Sequence, residues 1–266
     1  VLEVAHLSVV FVRGGRPIPA IDDVSLRVAP GEFVGIIGPS GCGKSTLLHT
    51  LGGFIAPTRG EIRVAGRPVR GPGPDRGMMF QDLALFPWRT VLGNATWGLE
   101  AQGRPRDECR AVGERYLAMV GLLPFRDAYP AELSGGMKQR AALARVLAYD
   151  PAVLLMDEPF GALDAQTREL MQEELQRIWL QTRKTVVFVT HDIDEAVYLA
   201  DRVIVFTARP GRIKATVPID LPRPRRLEVK KTSGFVEYRN RVWDLLREEV
   251  LAGLARDGQP VAGRRG

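Results

Sequence analysis

The octet Gly38-Pro39-Ser40-Gly41-Cys42-Gly43-Lys44-Ser45 fits the pattern G-x-x-x-x-G-K-[ST], whose residue types suit it to grip phosphate. Its glycines let consecutive backbone N–H groups point inward at phosphate oxygens, and a helix beginning at Lys44 adds its positive end. Lys44 would reach the β- and γ-phosphates of a nucleotide, Ser45 would ligate Mg²⁺, and Thr46 continues the same turn. A glycine turn with no ligand is the alternative. The context argues against it: Glu32–Ile37 has the composition of a buried strand and runs straight into the loop, and a helical segment follows.

A phosphate loop needs a carboxylate for its metal. The apolar run Val153-Leu154-Leu155-Met156 ends in Asp157-Glu158-Pro159, and a parallel strand delivers such residues to the same sheet edge as the loop. Asp157 would hold Mg²⁺, directly or through water, and Glu158 would polarise the attacking water. Two acids in a solvated turn are the plainer reading, which the apolar run before them disfavours. Val186–Val189 ends similarly in Thr190-His191-Asp192. A lone histidine is more often structural than catalytic, but at the end of a third parallel strand His191 could bond the γ-phosphate and sense its loss. Gln81, also at a strand end, is a candidate to contact Mg²⁺ and the water. In Leu133-Ser134-Gly135-Gly136-Met137-Lys138-Gln139-Arg140, Ser134 is a good helix N-cap, and Gly135 and Gly136 permit close approach of an anion. Sequence physics leaves cap and phosphate site equally open there.

The elements that must position these residues are legible in outline. Leu7–Val12 and Val24–Val28 suggest short strands separated by Gly14-Gly15-Arg16-Pro17, and Lys44–Gly53 suggests a helix. Strands are expected at Gly60–Val64 and Gly77–Gln81, with the loop Gly71-Pro72-Gly73-Pro74 between them. From Asp82 to Tyr149 the spacing turns helical, as in Val112, Tyr116, Leu117, Val120 and again in Leu143, Val146, Leu147. A helix from Asp164 to Thr182 carries Leu170, Met171, Leu175, Ile178 and Trp179 on one face, and the strand Thr185–Thr190 follows. The expected fold is α/β: a phosphate-loop NTPase core with a mostly parallel sheet, an antiparallel β lobe near the N-terminus and an inserted helical subdomain over 82–150. One domain then covers 1–217, and 218–266 holds the proline-rich connector Pro218–Arg226 and a last amphipathic helix from about Glu228 to Leu254.

Composition narrows the classes. With 45% hydrophobic and 26% charged residues the chain has the make-up of an ordinary soluble globule. Its longest clean apolar stretches, such as Ala152–Met156, fall far short of the ~20 residues a membrane-spanning helix needs. No N-terminal segment joins a basic start to an apolar run, so no export is expected. Cys42 and Cys109 lack metal-ligand spacing and fit a reducing, cytosolic compartment. The net charge of +6 is spread along the chain, which favours a solvated basic surface over nucleic acid or an anionic membrane as its partner. The exception is the block Pro222-Arg223-Pro224-Arg225-Arg226.

Taken together, GPSGCGKS, Gln81, LSGGMKQR, LLMDEP, GALD and His191 resemble the nucleotide-binding subunits of ABC transporters, in the family order and from Val1 to Val217. LSGG is the specific part, because it marks this family among phosphate-loop ATPases. The resemblance implies ATP and Mg²⁺ as ligands, Phe11 stacked on adenine, and a head-to-tail dimer of two copies. In that dimer Ser134, Gly135 and Gly136 of one copy close on the nucleotide of the other, and Asp164 belongs to the interface. Met137 replaces a frequent glutamine and Gly161 a frequent serine, and neither position supplies the carboxylate or the lysine. The segment Phe80–Asn94, with Pro87-Trp88 after Gln81, is similar to importers of nitrate, sulfonate, taurine and thiamine-precursor type, and Pro218–Arg226 resembles the same branch. The implied partners are integral-membrane permease subunits and, indirectly, a solute-binding protein, with the chain peripheral on the cytoplasmic face of the membrane and no nucleic acid. Phe86, Pro87 and Trp88 offer a socket for a cytoplasmic helix of the permease, or else a local core under the helical lobe. The alternative class is a soluble ABC ATPase acting on nucleic acid or ribosomes. Such proteins usually carry a long coiled-coil insertion or two cassettes, and neither feature occurs here.

Overall fold

In the computed structural model, which describes residues 1–256, β1 (Leu2–Arg13) and β2 (Arg16–Val28) form a long antiparallel hairpin. Gly14 and Gly15 close it with φ values of 57° and 74°, the left-handed backbone that matches the twist of paired strands. The strands are longer than the sequence suggests, and Pro17 and Pro19 are tolerated because β2 is an edge strand. On the other side of β1 lies β4 (Arg59–Val64), followed by β5 (Arg67–Pro68), completing a four-stranded antiparallel sheet.

The second sheet contains β3 (Phe33–Ile37), β6 (Arg76–Met79), β7 (Val153–Asp157), β8 (Thr185–Val189), β9 (Arg202–Phe206) and β10 (Ile213–Pro218). Its order is β10-β9-β3-β8-β7-β6, with β10 antiparallel and the others parallel. Period-two alternation divides its side chains between two cores. Ile37, Leu154, Met156, Val186, Phe188 and Val203 face one. Val34, Ile36, Val153, Leu155, Val187 and Ile204 face the other, which also holds the hairpin and α1 (Lys44–Leu51). Burial on both faces explains why β3, β7 and β8 are continuous apolar runs.

The helical lobe comprises α2 (Val91–Ala101), α3 (Arg106–Met119) and α4 (Gly135–Ala148), packed on one another. Next comes α5 (Ala165–Thr182), capped by Asp164, whose side chain accepts the Thr167 N–H. Met171, Leu175, Ile178 and Trp179 are buried, but Leu170 is 64% exposed. It stands one residue from Met171, a step of about 100° around the helix, and so falls off the apolar stripe. Two elements then follow that sequence spacing did not mark, α6 (Ile193–Leu199) and the β9–β10 pair.

The last helix, α7 (Ser233–Arg256), starts later than expected, because Leu227–Lys231 forms a separate short 3-10 turn. The Thr232 hydroxyl then accepts the Phe235 N–H at the helix start. The basic block before it is only partly at the surface, with Arg226 exposed and Arg223 half-buried. Arg225 is buried and donates to the carbonyls of Val197, Tyr198, Ala200, Leu221 and Ile219. Burial pulls its guanidinium down to about 10, and the carbonyl bonds are what keep such a charge tolerable inside.

Candidate functional site

The neighbours β3, β8, β7 and β6 run in parallel, about 4.8 Å apart. Their carboxyl ends therefore place the 38–43 loop, His191, the pair Asp157 and Glu158, and Gln81 along one edge of the sheet. Within the loop, Gly43 adopts φ 104° at the start of α1, and a Cβ there would lie 2.6 Å from Ala20 O. Glycine is thus required for conformation and for space. Lys44 is 7% exposed, and its ammonium donates to Gly38 O (2.8 Å) and Pro39 O (3.1 Å), which holds its charge inside the loop. Cys42, within the loop, has its side chain buried, and burial raises its thiol pKa.

The Ser45 hydroxyl donates to Asp157 Oδ1 at 3.1 Å. Burial raises the Asp157 carboxyl above its usual range, opposed by that hydrogen bond and by His49, whose Nε2 lies 3.9 Å from Oδ2. A hydroxyl and a buried carboxylate form an all-oxygen donor pair, the set that suits Mg²⁺ when phosphates and water complete the shell. Glu158 follows with φ 44°, a left-handed backbone that costs roughly 1–3 kcal/mol in a non-glycine residue and marks functional turns. Its N–H donates to Val189 O at 2.9 Å, and its Oε2 meets His191 Nδ1 at 3.0 Å. The arrangement can hold a water-activating carboxylate in one orientation beside a metal and a phosphate chain.

The other expected residues lie around this centre. Gln81 is exposed just beyond β6 and lines a cleft with Gly135, Lys138, Pro159 and Leu163. Ser134 caps α4 by accepting the Met137 N–H (3.3 Å), and Gly135 and Gly136 back onto Leu163 and Thr167. Ser134 and Gly135 face outward, open to another molecule. Phe11 is 41% exposed and paired with Ile18 on the hairpin whose Ala20 lies against Gly43. Two contributors escaped the sequence reading. Gly211 packs behind the loop, where a Cβ would meet Cys42 O at 2.3 Å, and it exchanges backbone bonds with Ala20 and Asp22. Arg145, buried, donates to Ala84 O and Leu83 O (2.8 Å to the latter) and so pins the segment after Gln81.

A phosphate loop between a buried strand and a helix, with a strand-end carboxylate bonded to the loop's serine, defines a phosphate-loop nucleotide-binding protein. The sequence profile described as ABC transporter matches residues 21–161, and the chain belongs to that family. It is 52% identical over 253 residues to an uncharacterized ABC transporter ATP-binding protein of Methanocaldococcus jannaschii, across 95% of this chain and 94% of that one. It is 47% identical over 252 residues to the nitrate import ATP-binding protein NrtD of Synechocystis sp., across 92% and 95% of the two chains. Among solved structures, a dimeric ATP-binding cassette in a post-hydrolysis state with ADP and Pi superposes with a TM-score of 0.73. It is 32% identical in sequence and covers 84% of this chain and 100% of that chain.

Proposed function

We propose that the chain is the ATP-hydrolysing subunit of an import system, working as a head-to-tail dimer on the cytoplasmic face of a membrane. The observation that carries this is the Glu158–His191 contact of 3.0 Å beside the Ser45–Asp157 bond. Residues 38–46 bind the triphosphate and Phe11 stacks on adenine. Ser45, Asp157 and Gln81 would hold Mg²⁺, which would supply positive charge against the phosphate chain. Glu158, oriented by His191, takes a proton from the attacking water. Exposed Ser134 and Gly135, with Gly136, complete the site of the second copy, and Asp164 lies at the same interface. The chain thus divides into a nucleotide-binding domain over 1–217, with the helical subdomain 82–150 inserted, and a C-terminal extension.

The partner is an integral-membrane permease, supplied by a solute-binding protein. Support comes from the loop after Gln81: Trp88 is 73% exposed, and Phe86 lies 5.6 Å from its ring and 5.0 Å from that of Trp97. Solvent-facing aromatics held on a fixed loop suit a docking helix. The solute is nitrate, a sulfonate, taurine or a related organic anion, or a thiamine precursor, on the likeness to the nitrate importer subunit and the motif at Pro87-Trp88. Glu158→Gln tests the hydrolytic reading. The variant should bind ATP and lose turnover by about 10²- to 10⁴-fold, the range for a lost general base. Undiminished turnover would rule out the assignment.

A further inference from the structure

His191 is aimed by a turn and not by packing, since its side chain is 62% exposed while Nδ1 reaches Glu158. A file of side chains behind that turn fixes it. The Asp192 N–H donates to the Thr190 hydroxyl (3.0 Å), and that hydroxyl donates to Glu195 Oε2 (2.6 Å). Gln172 Nε2 donates to Glu195 Oε1 (3.3 Å), and Lys230 Nζ donates to Gln172 Oε1 (3.0 Å). Thr190, Gln172 and Glu195 are all buried. The file has a direction: an ammonium only donates and a carboxylate only accepts, so the Gln172 amide can satisfy both neighbours in one orientation alone. Arg168, on α5, approaches the same carboxylate at 3.8 Å and Asp192 at 3.6 Å.

The outer end of the file belongs to the C-terminal extension. Lys230 sits in the short turn Leu227–Lys231, paired with Glu169 at 3.2 Å and lying over the Tyr198 ring at 5.2 Å. The same extension grips the far end of α6, where Arg225 takes the carbonyls of Val197, Tyr198 and Ala200, and Arg223 takes that of Leu199. The short helix that follows His191 is therefore clamped at both ends by residues beyond β10.

We propose that Glu195 is a positioning residue for the Glu158–His191 pair, and that the C-terminal extension sets this position through Lys230 and Gln172. Hydrolysis then depends on how residues 218–256 are seated. The inference rests on the reading of Glu158 and His191 as the hydrolytic pair. Without the lysine the Gln172 amide keeps its NH₂ toward Glu195 but loses the donor that anchors its oxygen and the positive charge at the outer end of the file. Glu195 is then held less firmly, which loosens the Thr190–Asp192 turn and lowers the population in which His191 meets Glu158. Nucleotide binding, made by the loop after β3, is outside this path.

The test uses the full chain with Lys230→Met, which keeps the stem and removes the charge, and Glu195→Gln as a second, nearly isosteric variant. Both should lower kcat for ATP by roughly 5- to 30-fold, the range that 1–2 kcal/mol spans, with KM unchanged, and Lys230→Arg should recover most of the loss. The ¹⁵N shifts of the His191 imidazole should move toward those of an unbonded ring in Lys230→Met. An unchanged kcat in both variants, or a lowered kcat with unmoved His191 shifts, overturns the proposal. Glu158→Gln is assayed alongside. If it keeps full turnover the reading of the site itself fails, and the proposal with it. If it is inactive while the Lys230 and Glu195 variants match the parent, only the proposal fails.

Discussion

The Ser45 hydroxyl donates to Asp157 Oδ1 across 3.1 Å, joining residues 112 positions apart in the chain. The bond exists because β3 and β7 are parallel and separated by one strand, β8, so both turns open on the same edge. Asp157→Asn retains an acceptor for the serine but not the charge. It should fold normally and lose Mg²⁺-dependent turnover by about 10²- to 10³-fold, the cost of removing one electrostatic contact to a developing charge. Steady-state ATPase assays across a Mg²⁺ titration check this, and a parent-like Mg²⁺ response would count against Asp157 as a ligand.

Lys44 has its ammonium shared between Gly38 O and Pro39 O, within the loop that should receive the phosphates. Lys44→Ala removes the one side-chain cation of that loop. Charge-assisted hydrogen bonds contribute about 1.5–3 kcal/mol, so ATP affinity should fall by roughly 10- to 100-fold. Calorimetric titration measures it directly, and parent-like affinity would exclude the loop as the phosphate site.

Gly211 offers a subtler route to the same loop. A Cβ at this position would stand 2.3 Å from Cys42 O, a contact no side-chain rotation can relieve. Gly211→Ala must therefore push the loop backbone or the β9–β10 turn aside, at a cost of about 1–3 kcal/mol for overpacking. Nucleotide affinity should drop by about tenfold or more on that scale, with the fold retained by thermal unfolding. ATP binding and a melting temperature both equal to the parent's would show that the space exists after all.

The same relationships explain what the sequence could disclose. Each chemical motif is local: a buried strand, a turn and a few polar residues, so Gly38–Ser45, Asp157-Glu158 and His191 were readable at their positions. Their convergence followed from one inference, that the strands are parallel. Gly211 was invisible because its constraint comes from Cys42, across the fold. The burial of Arg225 was not marked in the sequence, because the carbonyls that accept from it, most of them at the end of α6, are brought to it by the fold. α6 itself spans Ile193–Leu199, too short for a helical period to stand out. Leu170 shows the opposite error, an apolar residue assigned to a stripe that the helix geometry denies it.

On the proposed docking role, a change at Trp88 should separate catalysis from coupling. The residue is 73% exposed, yet the loop beneath it is fixed: Asn94 accepts the Phe86 N–H (2.8 Å) and donates to the carbonyls of Phe86 and Arg89. Arg145 adds a cation over the Phe86 ring at 5.8 Å. A side chain presented to solvent on so anchored a loop contributes little to folding, so Trp88→Ala should change stability by no more than about 0.5 kcal/mol. ATP turnover by the isolated protein should stay at the parent level. Assembly with the permease should weaken strongly, because aromatic anchors carry a large share of interface energy, often 2 kcal/mol or more. Co-purification of the variant with its permease, alongside an ATPase assay of the free subunit, resolves the two effects. Intact assembly would place the docking surface elsewhere, and lost turnover in the free subunit would make Trp88 part of the nucleotide site.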